Sequence, residues 1–236
     1  MLRGGTFFFR NSDVRGNFEL LDMNPIGKRI WFVKVFPAES ATAKIFKTIK
    51  GAKKTLLPQR IVSDSEFIRV LMARKTHQRF SKQGLPLKAV SQLLSLVWGV
   101  SGYLYTRRFG KLLEKTSPSG GARHPGEVYL MPLRVKGLRV GLYHYQPATH
   151  HFERISTNAS AEKAWLYCAR QHFVRNAAAL FLLTAVFPRT MWKYHHARAY
   201  QVVLLNAGHL CQTFCLMATW LGACAVLHSR SQGHAD

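Results

Sequence analysis

The sequence "SPSGGARHPGEVYL", residues 117–130, joins a loop rich in glycine and proline to a run that is typical of a strand. Gly120 and Gly121 lack a Cβ atom, so backbone there can approach a flat ligand closely and can adopt a positive φ. Pro118 and Pro125 stiffen the loop, which reduces the entropy lost in holding one geometry. By itself, the segment fits an ordinary loop before a strand as well as it fits a binding loop.

The polar side chains of this loop suit a planar ligand that gains negative charge. Serine hydroxyls donate or accept hydrogen bonds, and an arginine supplies a fixed cation. A reduced flavin is such a ligand, because a cation or N–H group near N1 and O2 stabilises its added charge. The predicted cofactor-binding residues of the loop are Ser117, Pro118, Ser119, Gly120, Gly121, Arg123 and His124.

Helical patterns lie on both sides of this loop. Residues 63–75 begin with Ser63 and Glu66 in a capping-box pattern, which predicts a helix to about Arg74. Residues 86–100 predict a second helix that ends at Gly99 and Gly102. Further helices are predicted over 160–176, capped by Ser160, and over 197–220. The apolar stripe of the second helix comprises Val90, Leu93, Leu94 and Val97.

Strand patterns fill the intervals between these helices. Residues 110–126 are predicted to be a loop that leads into a strand at 127–135, and residues 138–155 predict a hairpin. The continuous apolar run at 178–187 predicts a central strand buried on both faces. Together the elements predict an α+β fold with a mixed sheet covered by helices.

The net charge of +23, from 34 Lys and Arg against 11 Asp and Glu, indicates a surface that attracts polyanions. The excess is spread along the chain, which favours a phosphate-bearing ligand over a nucleic-acid role. The sequence contains no G-x-G-x-x-G motif after a strand and no Walker loop, which argues against a Rossmann site or a P-loop NTPase.

The four cysteines are predicted to be reduced core thiols, which favours a cytoplasmic protein. No metal site is predicted, because His209 and Cys211 are two residues apart on a helix and point away from each other. Residues 199–227 carry no charged side chain and are long enough to span a bilayer. Polar residues such as Gln201 and Asn206 favour a buried central helix over a membrane span.

Two further segments contain residues suited to chemistry. Arg74, Thr76 and Arg79 could grip a phosphate, or the basic residues could cap the end of a helix. Lys193 and Tyr194 follow the apolar strand, and strand ends are common catalytic positions. A lysine that burial makes less basic can remove a proton, and a tyrosine can relay one. An ordinary loop lysine and a packing tyrosine would give the same local sequence.

The sequence resembles the nitroreductase-fold flavoproteins and, more closely, the SagB-type dehydrogenases, over about residues 64–227. The motifs that carry the resemblance are "RKTHQRFS", "SPSGGARHPGEVYL", "GLYHYQPATHHFERI", "KYHHARAYQ" and "LLNAGHLCQTFCLMATWLGACAV". SagB-type dehydrogenases oxidise azoline rings in modified peptides to thiazoles and oxazoles. The resemblance therefore implies an FMN-dependent homodimer, with flavin at the subunit interface and the charge-free helix as the central dimer-interface helix.

The resemblance also implies roles for individual residues. By motif position, Lys193 and Tyr194 are the pair associated with azoline oxidation, and the loop residues named above line the isoalloxazine. The phosphate grip would comprise Arg74, Thr76, Gln78 and Arg79. Gln78 stands where the family usually has Arg or Lys, and Asn206 where Glu is common.

The predicted domains are a basic N-terminal extension of unknown role at residues 1–60 and a nitroreductase-like FMN-binding domain at 61–236. A short basic amphipathic helix is predicted at 44–54. The family continues beyond the "LGACAV" region with a strand, a helix and a final segment, whereas this sequence ends in "LHSRSQGHAD". The FMN-binding domain is therefore expected to be incomplete at its C-terminus, with weakened FMN binding or activity.

The implied function is the FMN-dependent dehydrogenation of azoline rings in a ribosomally made peptide. The expected partners are a second copy of the chain, a modified peptide substrate and a cyclodehydratase complex, without nucleic acid or membrane. Two alternatives remain open at this point. One is an NAD(P)H-dependent nitro- or quinone-type reductase of the same fold. The other is an inactive basic homologue that binds a peptide or a polyanion.

Overall fold

The computed structural model describes residues 46–58 and 64–227. The chain divides into two units, Met1–Gln59 and Arg60–Asp236. Within the first unit, residues 46–58 are exposed and contain a turn at residues 50–51 but no helix. The amphipathic helix predicted at 44–54 is therefore wrong for 46–54. Residues 1–45 of the predicted extension and residues 228–236 of the predicted incomplete C-terminus lie outside the described residues.

The second unit contains helices and strands in the mixed order that the sequence predicts. The helices are α1 (Glu66–Ala73), α2 (Leu87–Trp98), α3 (Ala161–Tyr167), α4 (Phe187–Met191) and α5 (Arg198–Trp220). The strands are β1 (Leu85–Pro86), β2 (Gly102–Thr106), β3 (Gly110–Glu114), β4 (Gly126–Pro132), β5 (Val135–Lys136), β6 (Leu142–Gln146), β7 (His151–Ser156) and β8 (Ala179–Ala185).

The main sheet is antiparallel and has the strand order β7-β6-β4-β8. A separate antiparallel hairpin joins β2 to β3, and β1 pairs in parallel with β5. The predicted α+β class with a mixed, mainly antiparallel arrangement of strands is confirmed. The predicted hairpin at 138–155 corresponds to β6 and β7.

The main core lies between α2, α5 and the four-stranded sheet. The predicted stripe on α2 is buried throughout, and Leu94 is 1% exposed. Trp98 follows this stripe and stacks on Phe181 of β8 at a centroid separation of 6.5 Å. Phe214 of α5 completes the aromatic cluster. Because these side chains come from three elements, the cluster fixes α5 relative to the sheet.

The N-terminus of α1 differs from the predicted capping box. The N-cap is Ser65, whose hydroxyl accepts a hydrogen bond from the Ile68 N–H at 3.4 Å. Ser63 lies outside the described residues. Glu66 is the first residue of α1, and its Oε1 accepts from the Trp220 indole N–H at 2.9 Å. Because Ser65 is the N-cap, Glu66 is the first residue of the helix and not the third, as the predicted capping box requires, so that box is wrong.

The apolar strand β8 lies at an edge of the four-stranded sheet, so its predicted central position is wrong for the described residues. It pairs with β4 along its whole length and is mostly half-buried. Phe181 and Leu183 pack against the main core, whereas Leu180 packs against a second cluster that includes Ala164 of α3. Both faces are covered, which explains the continuous apolar run.

Two boundaries also differ from the predictions. Residues 110–114 form strand β3, so the predicted loop is shorter by that strand. Helix α3 ends at Tyr167 because Ala169 and Arg170 have positive φ angles of 51° and 58°, and a separate 3-10 turn covers His172–Asn176. The Ser160 cap is confirmed, since its hydroxyl accepts from the Lys163 N–H.

Helix α5 has one buried and one exposed face. Its buried residues include Val203, Asn206 and Leu210, whereas Tyr200, Leu204 and Leu205 are more than half exposed. By length and composition alone this helix could span a membrane. In the fold it packs against α1, α2, α4 and β4, and so forms the support for the segments described next.

Candidate functional site

The Lys193–Tyr194 pair lies on the Gly120–Gly121 pair, although the two are far apart in the sequence. A Cβ atom built on Gly121 would lie 2.6 Å from Lys193 Cδ and 2.8 Å from its Nζ. A Cβ atom on Gly120 would lie 2.5 Å from Val202 Cγ1 and 3.5 Å from the Tyr194 hydroxyl oxygen. The missing side chains therefore admit these neighbours, and the structure brings the two predicted groups into one place.

Aromatic rings surround the cations of this site. Lys193 Nζ lies 5.0 Å from the ring centroid of Phe109 and 5.9 Å from that of Tyr194. The Arg123 guanidinium carbon lies 4.8 Å from the ring centroid of Trp192. Trp192 in turn meets Phe109 edge-on at 6.1 Å. Since a cation over an aromatic face is electrostatically stabilised, these rings favour the observed positions of both charges.

The glycine loop, residues 116–125, holds its shape through hydrogen bonds of its own. Arg123 Nε donates to the Gly121 carbonyl at 2.8 Å, and the Ser119 hydroxyl accepts from the His124 N–H at 3.0 Å. Ala122 and His124 have φ angles of 53° and 43°, a region that residues other than glycine rarely adopt. Strain of this kind persists only where surrounding contacts enforce it, as they do here.

Helix α5 anchors the start of the glycine loop. The Ser117 hydroxyl, in a residue only 1% exposed, lies 2.7 Å from the Thr213 hydroxyl. The Pro118 carbonyl accepts from Asn206 Nδ2 at 3.3 Å and lies 3.1 Å from His209 Nδ1. Sequence reasoning missed these supporting roles. The signal was present in the polar residues of the charge-free segment 199–227, which were interpreted only as an argument against a membrane span.

His124 connects the glycine loop to the β2–β3 hairpin. Its Nε2 lies 3.0 Å from the Leu113 carbonyl of β3, which requires that Nε2 carry the proton. Burial lowers the pKa of His124, while the hydrogen bond to Leu113 opposes that shift. The neutral ring therefore acts as a hydrogen-bond donor inside the fold. The His124 carbonyl accepts from Arg189 of α4.

An ion-pair network on the sheet supports Arg189 in turn. Glu127 of β4 bonds to Arg189 through Oε1 and to His144 Nε2 through Oε2. His144 Nδ1 lies 2.8 Å from Glu153 Oε2 on β7. Burial opposes a charge on His144, but the two carboxylates prevail and raise its pKa. The pKa of Glu127 is lowered, because His144 and Arg189 outweigh its burial. This network joins residues from four elements, and no local sequence pattern indicated it.

The predicted phosphate grip lies beside the other end of α5. Thr76, His77, Gln78 and Arg79 line an open depression. The backbone N–H of His77 donates to the Ala225 carbonyl beyond α5, and the charge of Arg74 acts on the Cys215 thiol. Cys215 lies nine residues after Asn206, or about 14 Å along the helix at 1.5 Å per residue. The grip and the glycine loop therefore lie at different levels of one helix.

Residues that ligate metals do not cluster in the part of the chain that the structure describes. No group of three or more His, Cys, Asp or Glu side chains there is arranged to hold a metal ion. All four cysteines are free thiols. Burial raises the pKa of Cys211 and of Cys215, which keeps both thiols protonated.

Comparison with known proteins gives a match to a family model and several similar proteins. A model described as the nitroreductase family matches residues 71–229. A nitroreductase-type protein of Methanocaldococcus jannaschii is 31% identical over 153 residues, 65% of this chain and 73% of that protein. The trifolitoxin-processing protein TfxB of Rhizobium leguminosarum bv. trifolii is 31% identical over 143 residues, which span 58% of this chain but only 38% of TfxB.

Solved structures share the fold. A nitroreductase-type protein of Ralstonia eutropha is 25% identical, with a TM-score of 0.50 and coverage of 71% of both chains. One from Anabaena variabilis is 22% identical, with a TM-score of 0.55 and coverage of 66% of this chain and 31% of that one. A third match is the Escherichia coli microcin synthetase complex McbBCD, solved with a truncated pro-form of its microcin. It is 19% identical with a TM-score of 0.50, and the match covers 73% of this chain and 65% of that one.

These matches confirm the predicted nitroreductase-like fold, with its mostly antiparallel strands and its long helix near the end. The glycine loop, the Lys193–Tyr194 pair and most of α5 lie within the matched region. Since that region covers most of its length, the chain belongs to the nitroreductase family.

Proposed function

We propose that the protein is an FMN-dependent oxidoreductase that dehydrogenates azoline rings in a ribosomally made peptide. The observation that carries the proposal is the placement of Lys193 and Tyr194 on Gly120 and Gly121, which joins a proton-transfer pair to a loop suited to a planar ligand. The likeness to TfxB, named for processing trifolitoxin, and to a microcin synthetase complex supports a peptide as the substrate.

The residues present fit FMN. An FMN phosphate is a dianion, and the depression lined by Thr76, Gln78 and Arg79 offers a hydroxyl, an amide and a cation for it. Arg74, half-buried against α5, adds a second cation. In the glycine loop, Ser119, Gly120 and Gly121 would lie along the isoalloxazine, with Arg123 near its polar edge. When bound, FMN supplies the acceptor for the hydride that leaves the substrate.

The other half of the reaction belongs to the chain's own side chains. An azoline ring that becomes an azole loses one hydride and one proton, so a base must take the proton from the second ring carbon. Lys193 Nζ, half-buried over the Phe109 ring, is the group that we assign to this step. The Tyr194 hydroxyl lies beside Gly120 and would orient the ring or relay the proton.

We propose that a second copy of the chain covers the exposed face of α5. Tyr200, Leu204 and Leu205 form an apolar surface there, and Phe187 stacks on Tyr200 at 6.1 Å. A partner that packs on this face would lie next to the loop that Asn206 and His209 support. We further propose a cytoplasmic protein, since its four cysteines are free. A cyclodehydratase is the enzyme class that would supply the azoline substrate.

A direct test uses the purified full chain reconstituted with FMN and a peptide that contains an azoline ring. Mass spectrometry should show the loss of two hydrogen atoms per ring, together with flavin absorbance in the protein. A flavin-loaded protein that leaves the azoline intact but oxidises NADPH with a nitro or quinone acceptor would contradict the proposal. That result would favour the reductase alternative, which the nitroreductase-type relative of Methanocaldococcus jannaschii supports. A protein that takes up no FMN would contradict both.

A further inference from the structure

The β2–β3 hairpin has an open edge beside the candidate site. Within residues 46–58 and 64–227, β2 pairs with β3 alone. An unpaired strand edge presents N–H and C=O groups that can bond to another extended chain. A two-stranded hairpin is marginally stable by itself, so contacts with the rest of the fold must hold it in place.

Two contacts fix the hairpin to the site. The Leu113 carbonyl of β3 lies 3.0 Å from His124 Nε2 in the glycine loop. At the hairpin turn, Phe109 packs edge-on against Trp192 and lies under Lys193 Nζ. Because the His124 contact involves β3, it leaves the edge of β2 open. One end of a chain bound along β2 would lie at the hairpin turn, where the Phe109 ring lies under Lys193 Nζ.

The hairpin surface combines cations with apolar rings. Tyr103 and Tyr105 of β2 are 47% and 72% exposed. The cations Arg107, Arg108 and Lys111 are exposed, and Glu114 is the one acidic residue between 101 and 115. Such a surface attracts carboxylates. The exposed ring of Tyr105 can pack against an apolar side chain of a strand in which apolar and acidic residues alternate.

We propose that an acidic, extended segment of the peptide substrate binds along β2 as a third strand. Backbone pairing would supply affinity, and the cations at the turn and on Lys111 would select for Asp and Glu. A nucleic-acid strand fits less well, because Lys111 Nζ lies 3.7 Å over the Tyr103 ring on which a base would stack. This inference rests on the proposed function for the peptide nature of the substrate.

The test measures binding of a fluorescein-labelled peptide of alternating Glu and Val to the full chain reconstituted with FMN. The triple variant R107E/R108E/K111E should bind the peptide at least about tenfold more weakly. The control triple K88E/K136E/R139E changes the net charge equally at exposed positions away from the hairpin and should weaken binding by about threefold at most. Equal losses in both triples would show a general effect of charge and overturn the proposal.

A second peptide tests the strand geometry. It has the same carboxylates, but proline replaces each Val, so that the donors needed for pairing are lost. We expect it to bind roughly tenfold more weakly. Equal binding would overturn the proposal. Tighter binding of a single-stranded oligothymidine that depends on the hairpin would also overturn it, because the edge would then bind nucleic acid. Self-association that the hairpin triple abolishes would overturn it as well, because the edge would then pair with a second copy of the chain.

Turnover separates this inference from the proposed function. With an azoline peptide that carries an acidic segment, the hairpin triple should raise KM and leave kcat nearly unchanged, whereas with a short neutral azoline peptide it should change neither. If the wild-type protein binds the acidic peptide through the hairpin but dehydrogenates no azoline, the proposed reaction fails and the binding surface stands. If the protein dehydrogenates azolines and the hairpin triple has the same KM and kcat as the wild type, the proposed binding surface is contradicted and the proposed reaction stands.

Discussion

A Cβ atom on Gly121 would lie 2.8 Å from Nζ of Lys193, so this glycine leaves room for the lysine. We expect Gly121→Ala to displace Lys193 and to lower azoline turnover by at least about tenfold, because a displacement of roughly 1 Å in a reacting group can have a hundredfold effect. Gly222→Ala is a matched control, since Gly222 has a similar φ of 69° and open space around it. Both variants should lose about 1 kcal/mol of stability, measured by urea unfolding. Equal turnover in the two would show that Lys193 tolerates a neighbour at position 121.

Lys193 and Tyr194 should affect turnover far more than FMN binding. Removal of the base in Lys193→Ala should lower the rate by on the order of a hundredfold or more, the usual contribution of a positioned acid or base. Tyr194→Phe should have a smaller effect. Flavin absorbance checks that FMN remains bound, and Lys88→Ala is an exposed control on α2. Full turnover in both variants with FMN bound would refute the assignment.

Asn206 should stabilise the fold through the Pro118 carbonyl. It is buried and donates to that carbonyl from α5, so Asn206→Ala leaves the acceptor without one of its donors. We expect a loss of about 1–3 kcal/mol in the free energy of unfolding. Gln201→Ala, on the exposed side of the same helix, should change it by less than about 0.5 kcal/mol. Similar losses at both positions would indicate a general effect on the helix.

His144 should make stability depend on pH. Its pKa is higher in the folded chain, so its contribution is present in full below its unfolded pKa and is lost as pH rises through the folded value. The pKa values of Glu127 and Glu153 are lowered, so their contribution disappears as pH falls through their folded values. Urea unfolding from pH 5 to 9 should therefore show that His144→Gln lowers the free energy of unfolding most at the acid end. A constant loss across that range would contradict this. The control is His172→Gln, an exposed residue outside the network.

The sequence predicted the elements whose pattern is local. The stripe on α2, the Ser160 cap and the extent of α5 follow from side-chain periodicity within one helix. The β2–β3 hairpin was missed because Gly99 and Gly102 indicated only where a helix ends. The prediction of a central position for β8 was wrong. An apolar run shows that both faces of a strand are covered, but it does not show whether a further strand pairs with each of its edges.

The candidate site shows the same contrast between residues recognisable from local sequence and residues whose roles depend on the tertiary fold. The glycine pair and the Lys193–Tyr194 pair stood out from their own segments, and the structure placed them together. The residues that hold them do not stand out locally. Asn206 and His209 act on a loop distant in sequence, and Glu127 joins Arg189 to His144 only because their elements meet in the fold. Such pairings depend on tertiary structure, which one sequence does not specify residue by residue.

Helix α5 combines a contact to the glycine loop with an exposed apolar surface. Asn206 and His209 contact the Pro118 carbonyl, and the exposed surface of the same helix includes Tyr200, Leu204 and Leu205. Any molecule that packs on the exposed face will restrict the helix and thereby the loop. If a second copy packs there, as we propose, the loading of FMN should follow protein concentration, with dilute samples losing FMN before they lose secondary structure. Under that proposal, an apparent FMN affinity is meaningful only when the chain concentration is stated with it.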